Sequence, residues 1–114
     1  MNDRVSQQFL NKSVTVTVDR KLGSKHPKWG FIYSVNYGYI EGIIAEDGSE
    51  LDAYILGVDK PLEVFEGICI AIVHRFNDVE DKLVVVPIGV TLSDEEIMEK
   101  VDFQEKFFKS KIIR

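Results

Sequence analysis

The sequence predicts a mainly β fold (α+β), in which five or six short strands form a small barrel or half-barrel and a C-terminal helix packs on it. The first observation behind this prediction is residues 13–20, whose β-branched side chains recur with a period of two. The second is a change of period at Leu92, where a helix start follows the last apolar strand. Short apolar runs between these two points supply the other strands.

Turn residues separate these strands. A basic loop with Gly and Pro occupies residues 21–29, and a turn at residues 46–49 ends the second strand. The later strands are predicted at residues 30–41 (with a kink), 51–56, 66–75 and 82–88.

The helix start has the residues of a capping box. Ser93 is expected to accept from the amide of Glu96, whose carboxylate reaches back, while Leu92 packs on Ile97. The helix is predicted to run to Val101. A break is expected at Asp102. A second helical piece that packs on the barrel is expected after it, with the apolar side chains Phe103, Phe107 and Phe108.

Length and composition indicate one compact domain covering residues 1–114. The net charge of −5 argues against nucleic acid as a partner, because binding to its backbone requires a basic surface. No apolar run reaches the roughly 20 residues of a membrane span, and no secretion signal is recognisable. The single cysteine, Cys69, lies in an apolar run, which predicts a buried thiol and a cytoplasmic location.

The first of two acidic clusters spans residues 47–52. Gly48 allows a tight turn that would aim Asp47 and Asp52 at one point. Carboxylate oxygens and retained waters are the ligands that Mg²⁺ prefers, and Mn²⁺ is the alternative. Acidic turns between strands are also commonly solvated loops, so the cluster alone has two interpretations.

The second acidic cluster precedes the last predicted strand. If this stretch enters the strand, Asp78, Glu80 and Lys82 share one face, and Asp81 points to the other. Whether Glu80 or Asp81 would be the metal ligand stays open. No Cys/His pattern is present, so a zinc site is not predicted.

Five basic side chains are candidates for binding phosphate. Arg20 ends a strand, and its guanidinium could contact two phosphate oxygens at once. Lys25, His26 and Lys28 lie in the loop after it, which could fold over a bound anion or simply face solvent. Lys82 is the fifth.

Three tyrosines, Tyr33, Tyr37 and Tyr39, are two or four positions apart and would share one face of a straight strand. A phenol aimed into the site could donate to a phosphate or a metal-bound water. The alternative is core packing, with the hydroxyl at a wet rim.

Two motifs resemble the soluble family I inorganic pyrophosphatases. Residues 33–40, Tyr-Ser-Val-Asn-Tyr-Gly-Tyr-Ile, match the pattern Tyr-x-x-Asn-Tyr-Gly-Tyr, and residues 47–52, Asp-Gly-Ser-Glu-Leu-Asp, resemble an Asp-Gly-Asp-x-x-Asp turn. Asp19-Arg20 and the Lys-Leu-Val-Val-Val-Pro run at 82–87 fall in the expected order. The resemblance implies an OB-like, five-stranded β-barrel.

The resemblance also implies residue roles. Asp47 and Asp52 would bind the metal that activates the attacking water, and Asp78 and Glu80 would stand where the family has further metal-binding aspartates. The residues implied to act on the substrate side are Tyr37 at the nucleophile or phosphate, Tyr33 in support of the site, and Arg20 and Lys82 on phosphate. The predicted catalytic residues are therefore Asp47, Asp52, Tyr37 and Lys82.

The chain departs from the family pattern at several positions. Ser49 stands where the family has its central aspartate, which leaves the metals or Glu50 to activate the water. Glu80 replaces an aspartate, and the N-terminal glutamate and lysine of the family have no counterpart. A tyrosine–lysine pair expected on the C-terminal helix is replaced by Phe107-Phe108 and, only roughly placed, Lys109.

The predicted function is metal-dependent hydrolysis of inorganic pyrophosphate to two phosphates. The alternative is a non-catalytic barrel, or one of altered specificity, that binds a phosphorylated small molecule or nucleotide. A nucleic-acid-binding module is a third and weaker hypothesis, opposed by the acidic charge. Exposed strand edges in so short a chain predict a homo-oligomer.

Overall fold

The structure is a computed structural model that describes residues 4–77 and 80–114. Its elements in chain order are a 3-10 helix (Val5–Phe9), β1 (Ser13–Arg20), β2 (Asn36–Ile44), β3 (Glu50–Ile55), β4 (Val64–Arg75), β5 (Asp81–Val86), α1 (Asp94–Glu105) and β6 (Ser110–Ile113). No helix of this described part is long and apolar enough to cross a membrane.

Five strands close into a barrel. They are hydrogen-bonded in the order β1-β2-β3-β5-β4, and β1 also pairs with β4, which closes the ring. All neighbours are antiparallel except β3 and β5, which run parallel. The sixth strand, β6, lies outside the ring and pairs with β4. The predicted mainly β, OB-like barrel with a covering helix is therefore confirmed.

The alternating pattern of β1 is confirmed residue by residue. Val14, Val16 and Val18 are buried in the barrel, while Ser13 and Thr15 are exposed. They pack with inward side chains of the other strands because a closed barrel has one apolar interior toward which every second residue points. Later strands begin or end one or two residues from their predicted limits, apart from β2.

The second strand begins at Asn36, and not at residue 30 as predicted. Residues 30–35 instead belong to a small hairpin of the long β1–β2 loop, in which Lys25 and Ile32 form an isolated bridge. The amide of Gly23 donates to the carbonyl of Tyr33, and these local bonds replace those of a longer strand.

Helix α1 begins with the predicted capping box. The hydroxyl of Ser93 accepts from the amide of Glu96 at 3.1 Å, and the Glu96 carboxylate accepts from the Ser93 amide at 2.9 Å. The predicted break at Asp102 is wrong, because the helix continues to Glu105. The second helical piece is also wrong: a turn leads into β6, whose backbone bonds are made by the edge of β4.

Candidate active site

A cleft with a volume of about 310 Å³ opens where the β1–β2 loop meets the end of α1. Its lining combines acidic, basic and aromatic side chains: Asp19, Arg20, His26, Trp29, Phe31, Tyr33, Tyr37, Asp52, Arg75, Gln104 and Phe108. Five of the residues predicted from the sequence are thus brought to one place, namely Arg20, His26, Tyr33, Tyr37 and Asp52.

Asp52 is held by a basic and a phenolic side chain. Its Oδ2 accepts from Nζ of Lys82 at 2.6 Å and from the hydroxyl of Tyr37 at 2.9 Å. Asp52 is opposite Lys82 in the β3–β5 pair, and opposite Tyr39 in the β2–β3 pair, so that Tyr37 reaches it diagonally. Three sequentially remote residues therefore meet because three strands are neighbours.

The burial of Tyr37 determines its protonation state. Burial, followed by the charge of Asp52 and the hydrogen bond to it, holds the pKa of Tyr37 well above its ordinary value. The phenol consequently remains a donor at neutral pH.

Lys82 is a second point of convergence. Its side chain is only 4% exposed, and its ammonium also donates to Oε1 of Glu80 at 2.9 Å. Lys82 does not itself line the cleft. Its ammonium bonds to both Asp52 and Glu80 and so holds the two carboxylates near each other. A direct contact between Lys82 and phosphate stays a prediction.

Asp81 points away from this group, as strand alternation predicts. Its Oδ2 accepts from Arg4 and from Ser6, both at 2.6 Å, and its Oδ1 lies 2.6 Å from Nδ1 of His74. These partners use both oxygens of Asp81. Glu80 is therefore the carboxylate that faces Asp52. The remaining predicted ligand of this cluster, Asp78, lies outside the described residues.

Asp47 lies in a different pocket from Asp52. It is exposed in the β2–β3 turn, where its Oδ1 accepts from the amide of Ser49 at 3.0 Å, and it lines a small acidic pocket that Glu80 also borders. The expected convergence of Asp47 and Asp52 is not observed, because the turn directs Asp47 back onto its own backbone. A metal role for Asp47 stays a prediction.

The basic loop is a folded hairpin. Nδ1 of His26 accepts from the amides of Lys28 at 3.1 Å and Trp29 at 3.0 Å, so that Nε2 is the ring nitrogen left for other partners. His26 lines the cleft, whereas Lys25 and Lys28 are exposed and do not. Substrate binding by Lys25 and Lys28 stays a prediction that the loop geometry does not favour.

Tyr33 is buried, and its hydroxyl donates to Gln104 of α1 at 3.0 Å. It therefore joins the β1–β2 loop to the helix. This position agrees with the supporting role that the resemblance implies.

Sequence reasoning missed Arg75 as a cleft residue. Its Nη2 lies 2.7 Å from Oε2 of Glu105, and its guanidinium stacks on the ring of Phe108 at 3.7 Å. Burial alone would lower the pKa of Arg75, but the hydrogen bond and charge of Glu105 outweigh it, so the pKa is raised. Arg75 ends an apolar strand, and nothing in its local pattern separates it from an ordinary surface charge.

The side chains of the site can be compared with the ligands that a divalent cation requires. Within residues 4–77 and 80–114, no three His, Cys, Asp or Glu side chains are grouped so that they could hold a metal ion. Asp52 and Glu80 are two carboxylates that share one ammonium, and such oxygens suit Mg²⁺, which is bound by one or two carboxylates together with waters and substrate phosphates. The two residues fit such an ion in chemistry and number.

The fold and the cleft define a class: an OB-like barrel with a cleft lined by acidic, basic and aromatic side chains. No model of a known protein family matches the chain. An inorganic pyrophosphatase from Aeropyrum pernix is 30% identical over 91 residues, which cover 76% of this chain and 49% of that protein. The chain thus spans about half the length of this curated relative.

Solved structures show the same fold. An inorganic pyrophosphatase from Ehrlichia chaffeensis has a TM-score of 0.71 at 14% identity, covering 91% of this chain and 86% of that one. One from Neisseria gonorrhoeae has a TM-score of 0.63 at 24% identity, covering 80% and 70%. The chain is thus similar in sequence to one inorganic pyrophosphatase and shares the fold of others, in line with the resemblance of its motifs.

Proposed function

We propose that this chain binds inorganic pyrophosphate in the cleft and hydrolyses it to two phosphates. The observation that carries the proposal is the arrangement of Asp52, which accepts from both Lys82 and Tyr37 at the wall of a cleft that also contains Arg20. Similarity to the Aeropyrum pernix pyrophosphatase supports the same reaction.

Some residues of the site would bind the substrate, and others would hold the binding groups in position. Arg20 and Arg75 present guanidinium groups to the cleft and would neutralise charge on the diphosphate. Tyr37, held protonated beside Asp52, would turn its single hydroxyl hydrogen from Asp52 to a phosphate oxygen or to the attacking water. Lys82 would keep the two carboxylates in position.

A divalent cation, Mg²⁺ or Mn²⁺, would be held by Asp52 and Glu80, with the rest of its shell completed by water and pyrophosphate oxygens. When bound, such an ion makes a water more acidic and shields the phosphoryl oxygens. Direct contact of the Lys82 ammonium with the substrate remains a candidate role. Asp47 and Asp78 remain candidates for additional ligands.

A specific observation favours the second candidate, a barrel that binds a phosphorylated ligand without hydrolysing it. In the described ranges, 4–77 and 80–114, no three His, Cys, Asp or Glu side chains are grouped so that they could hold a metal ion, and Ser49 provides no base. Phosphate release would therefore be slow or absent under this alternative, while anion binding would persist.

The test is release of phosphate from pyrophosphate with Mg²⁺ and with Mn²⁺, compared between the natural chain, Asp52→Asn and Asp59→Asn. Asp59 is exposed and does not line the cleft, so its variant controls for loss of one carboxylate. We expect Asp52→Asn to lower kcat/KM by about 10²-fold or more, as for groups that act in the transition state. Pyrophosphate binding without release would establish the second candidate.

Two further properties complete the proposal. A cytoplasmic location agrees with the buried thiol of Cys69, whose pKa burial raises to about 11.

Self-association would use the exposed edge of β6 or the exposed apolar side chains near it. Sedimentation of the purified chain at several concentrations measures this directly.

A further inference from the structure

One wall of the cleft is aromatic, and the proposed reaction does not require it. Trp29, Phe31 and His26 come from the β1–β2 hairpin, and Phe108 comes from the turn after α1. Trp29, the only tryptophan of the chain, borders the cleft and is 55% exposed. Inorganic pyrophosphate has no apolar surface and would leave these rings in water.

The wall is held in place before any ligand arrives. The amide of Trp29 donates to Nδ1 of His26, and the ring of Trp29 meets Phe107 edge-on, with 5.8 Å between centroids and 83° between planes. Phe31 packs between His26 at 4.9 Å and Phe107 at 5.8 Å. Ordered rings of this kind bind a planar ligand at a low entropic cost.

The charged side of the same cleft suits the other half of an amphiphilic ligand. Arg20 and Arg75 both border it, and Arg75 is fixed by its stacking on Phe108 and its bond to Glu105. Guanidinium groups recognise phosphate oxygens through paired hydrogen bonds. The volume of about 310 Å³ lies at the lower end of the range for small-molecule sites.

We propose that the cleft accepts a nucleoside diphosphate or triphosphate, with its phosphates toward Arg20 and Arg75 and its base against Trp29. This inference rests on the anion-binding part of the proposed function and extends it to a substrate class. Every nucleobase has a π-face, so stacking predicts tolerance of the base, with purines bound more tightly than pyrimidines because they stack more strongly. The mixed lining favours a small amphiphile over an apolar protein surface.

The experiment uses the fluorescence of Trp29 as a direct probe, because no other tryptophan contributes. The natural chain is titrated with ADP and with methyl diphosphate, which carries the same charged group without a base, in the presence and absence of Mg²⁺. We expect ADP to change the emission and to bind about 5- to 150-fold more tightly than methyl diphosphate. Methyl diphosphate should leave the emission nearly unchanged.

Variants test whether Trp29 causes the tighter binding of ADP. By calorimetry, Trp29→Ala should bind ADP no more tightly than methyl diphosphate, while Trp29→Phe keeps most of the difference. Phe76→Ala removes an aromatic ring that is 53% exposed and does not line the cleft, and it should change neither affinity. Unchanged binding of methyl diphosphate in Trp29→Ala shows that the anion site is intact.

Each outcome separates the two proposals. Equal affinity for ADP and methyl diphosphate in the natural chain overturns the inference, and pyrophosphate hydrolysis in the same sample leaves the proposed function standing. Emission that depends on protein concentration but not on ADP also overturns it, since the wall would then be a contact between two copies. Selective ADP binding without pyrophosphate hydrolysis supports the inference and removes the proposed reaction.

Discussion

Arg75 and Glu105 form an ion pair inside the protein, with Nη2 of Arg75 2.7 Å from Oε2 of Glu105 and side chains that are only 6% and 1% exposed. The pair joins the end of β4 to the end of α1. Oε2 of Glu105 also accepts from the hydroxyl of Tyr54 at 2.5 Å, and Oε1 accepts from Ser110 at 2.6 Å. The carboxylate thus binds the helix, the barrel and β6 together and fixes Arg75 at the cleft.

We expect Glu105→Gln to lower the free energy of unfolding by about 3–5 kcal/mol, because it removes the closer counterion of the buried Arg75 and leaves the more distant Glu80, at 3.6 Å from Nη1. Urea denaturation followed by circular dichroism measures the change. The matched control is Glu63→Gln, which breaks the exposed ion pair with Lys21 and should cost less than about 1 kcal/mol. Equal effects of the two substitutions would show that the buried pair does not hold the helix.

Stability should decrease in acid because of Glu105 and Asp81. Burial alone would raise the pKa of each, but hydrogen bonds from Arg75 to Glu105, and from Ser6, His74 and Arg4 to Asp81, outweigh it, so both pKa values are lowered. A lowered native pKa contributes stability that is complete above the unfolded-state pKa, about 4, and is lost as the pH falls through the native pKa.

Thermal unfolding between pH 7 and pH 2 measures this loss. Asp81→Asn should be less stable at pH 7 and should show a shallower acid decline than the natural chain. A decline of the same slope in Asp81→Asn would assign the effect to other carboxylates.

The backbones of β1 and β2 approach each other closely at Thr17 and Gly38. A Cβ at Gly38 would overlap the carbonyl oxygen of Thr17 and lie 2.8 Å from its carbonyl carbon. Gly38→Ala should therefore destabilise the fold by at least about 1–3 kcal/mol in urea denaturation. Gly89→Asn, at an open position with φ of 86°, should change it by less than about 1 kcal/mol. Tolerance of Gly38→Ala would mean that the strands can separate.

Arg20 should affect ligand binding more than folding. Its side chain borders the cleft, and loss of its charged hydrogen bonds in Arg20→Ala should weaken pyrophosphate binding by about 1.5–3 kcal/mol, roughly 10- to 150-fold. The midpoint of thermal unfolding should hardly change. Lys21→Ala removes the adjacent cation, which does not line the cleft, and should leave calorimetric affinity unchanged. A large fall in stability without a change in affinity would make Arg20 a structural residue.

Ser49→Asp should raise pyrophosphatase activity if a general base is missing at this turn. The gain would be part of the contribution of about 10²–10⁴-fold that a positioned base makes. Glu50→Gln tests the substitute base; its carboxylate now accepts from the amide of Gly42 at 3.0 Å and would have to leave it. Initial rates of phosphate release measure both. Activity that neither substitution changes would place the base elsewhere.

The sequence by itself determined the features that depend on neighbouring residues. The period of Val14, Val16 and Val18 predicts a strand with one buried face, and Ser93 with Glu96 predicts the helix start, because alternation and capping act within a few positions. The resemblance of the motifs to the pyrophosphatases also implied that Tyr37, Asp52 and Lys82 serve one site. The fold class and most strand positions could be predicted for this reason.

Only the tertiary structure decided which of the candidate residues meet. Asp52 and Lys82 are 30 positions apart, as are Arg75 and Glu105, and they touch because the barrel closes and α1 packs on it. The β2–β3 turn directs Asp47 onto its own backbone and leaves it outside the cleft. The strand β6 forms where an edge of β4 is available. Such contacts depend on how strands are ordered in space, and a local pattern of residue types carries no information about that order.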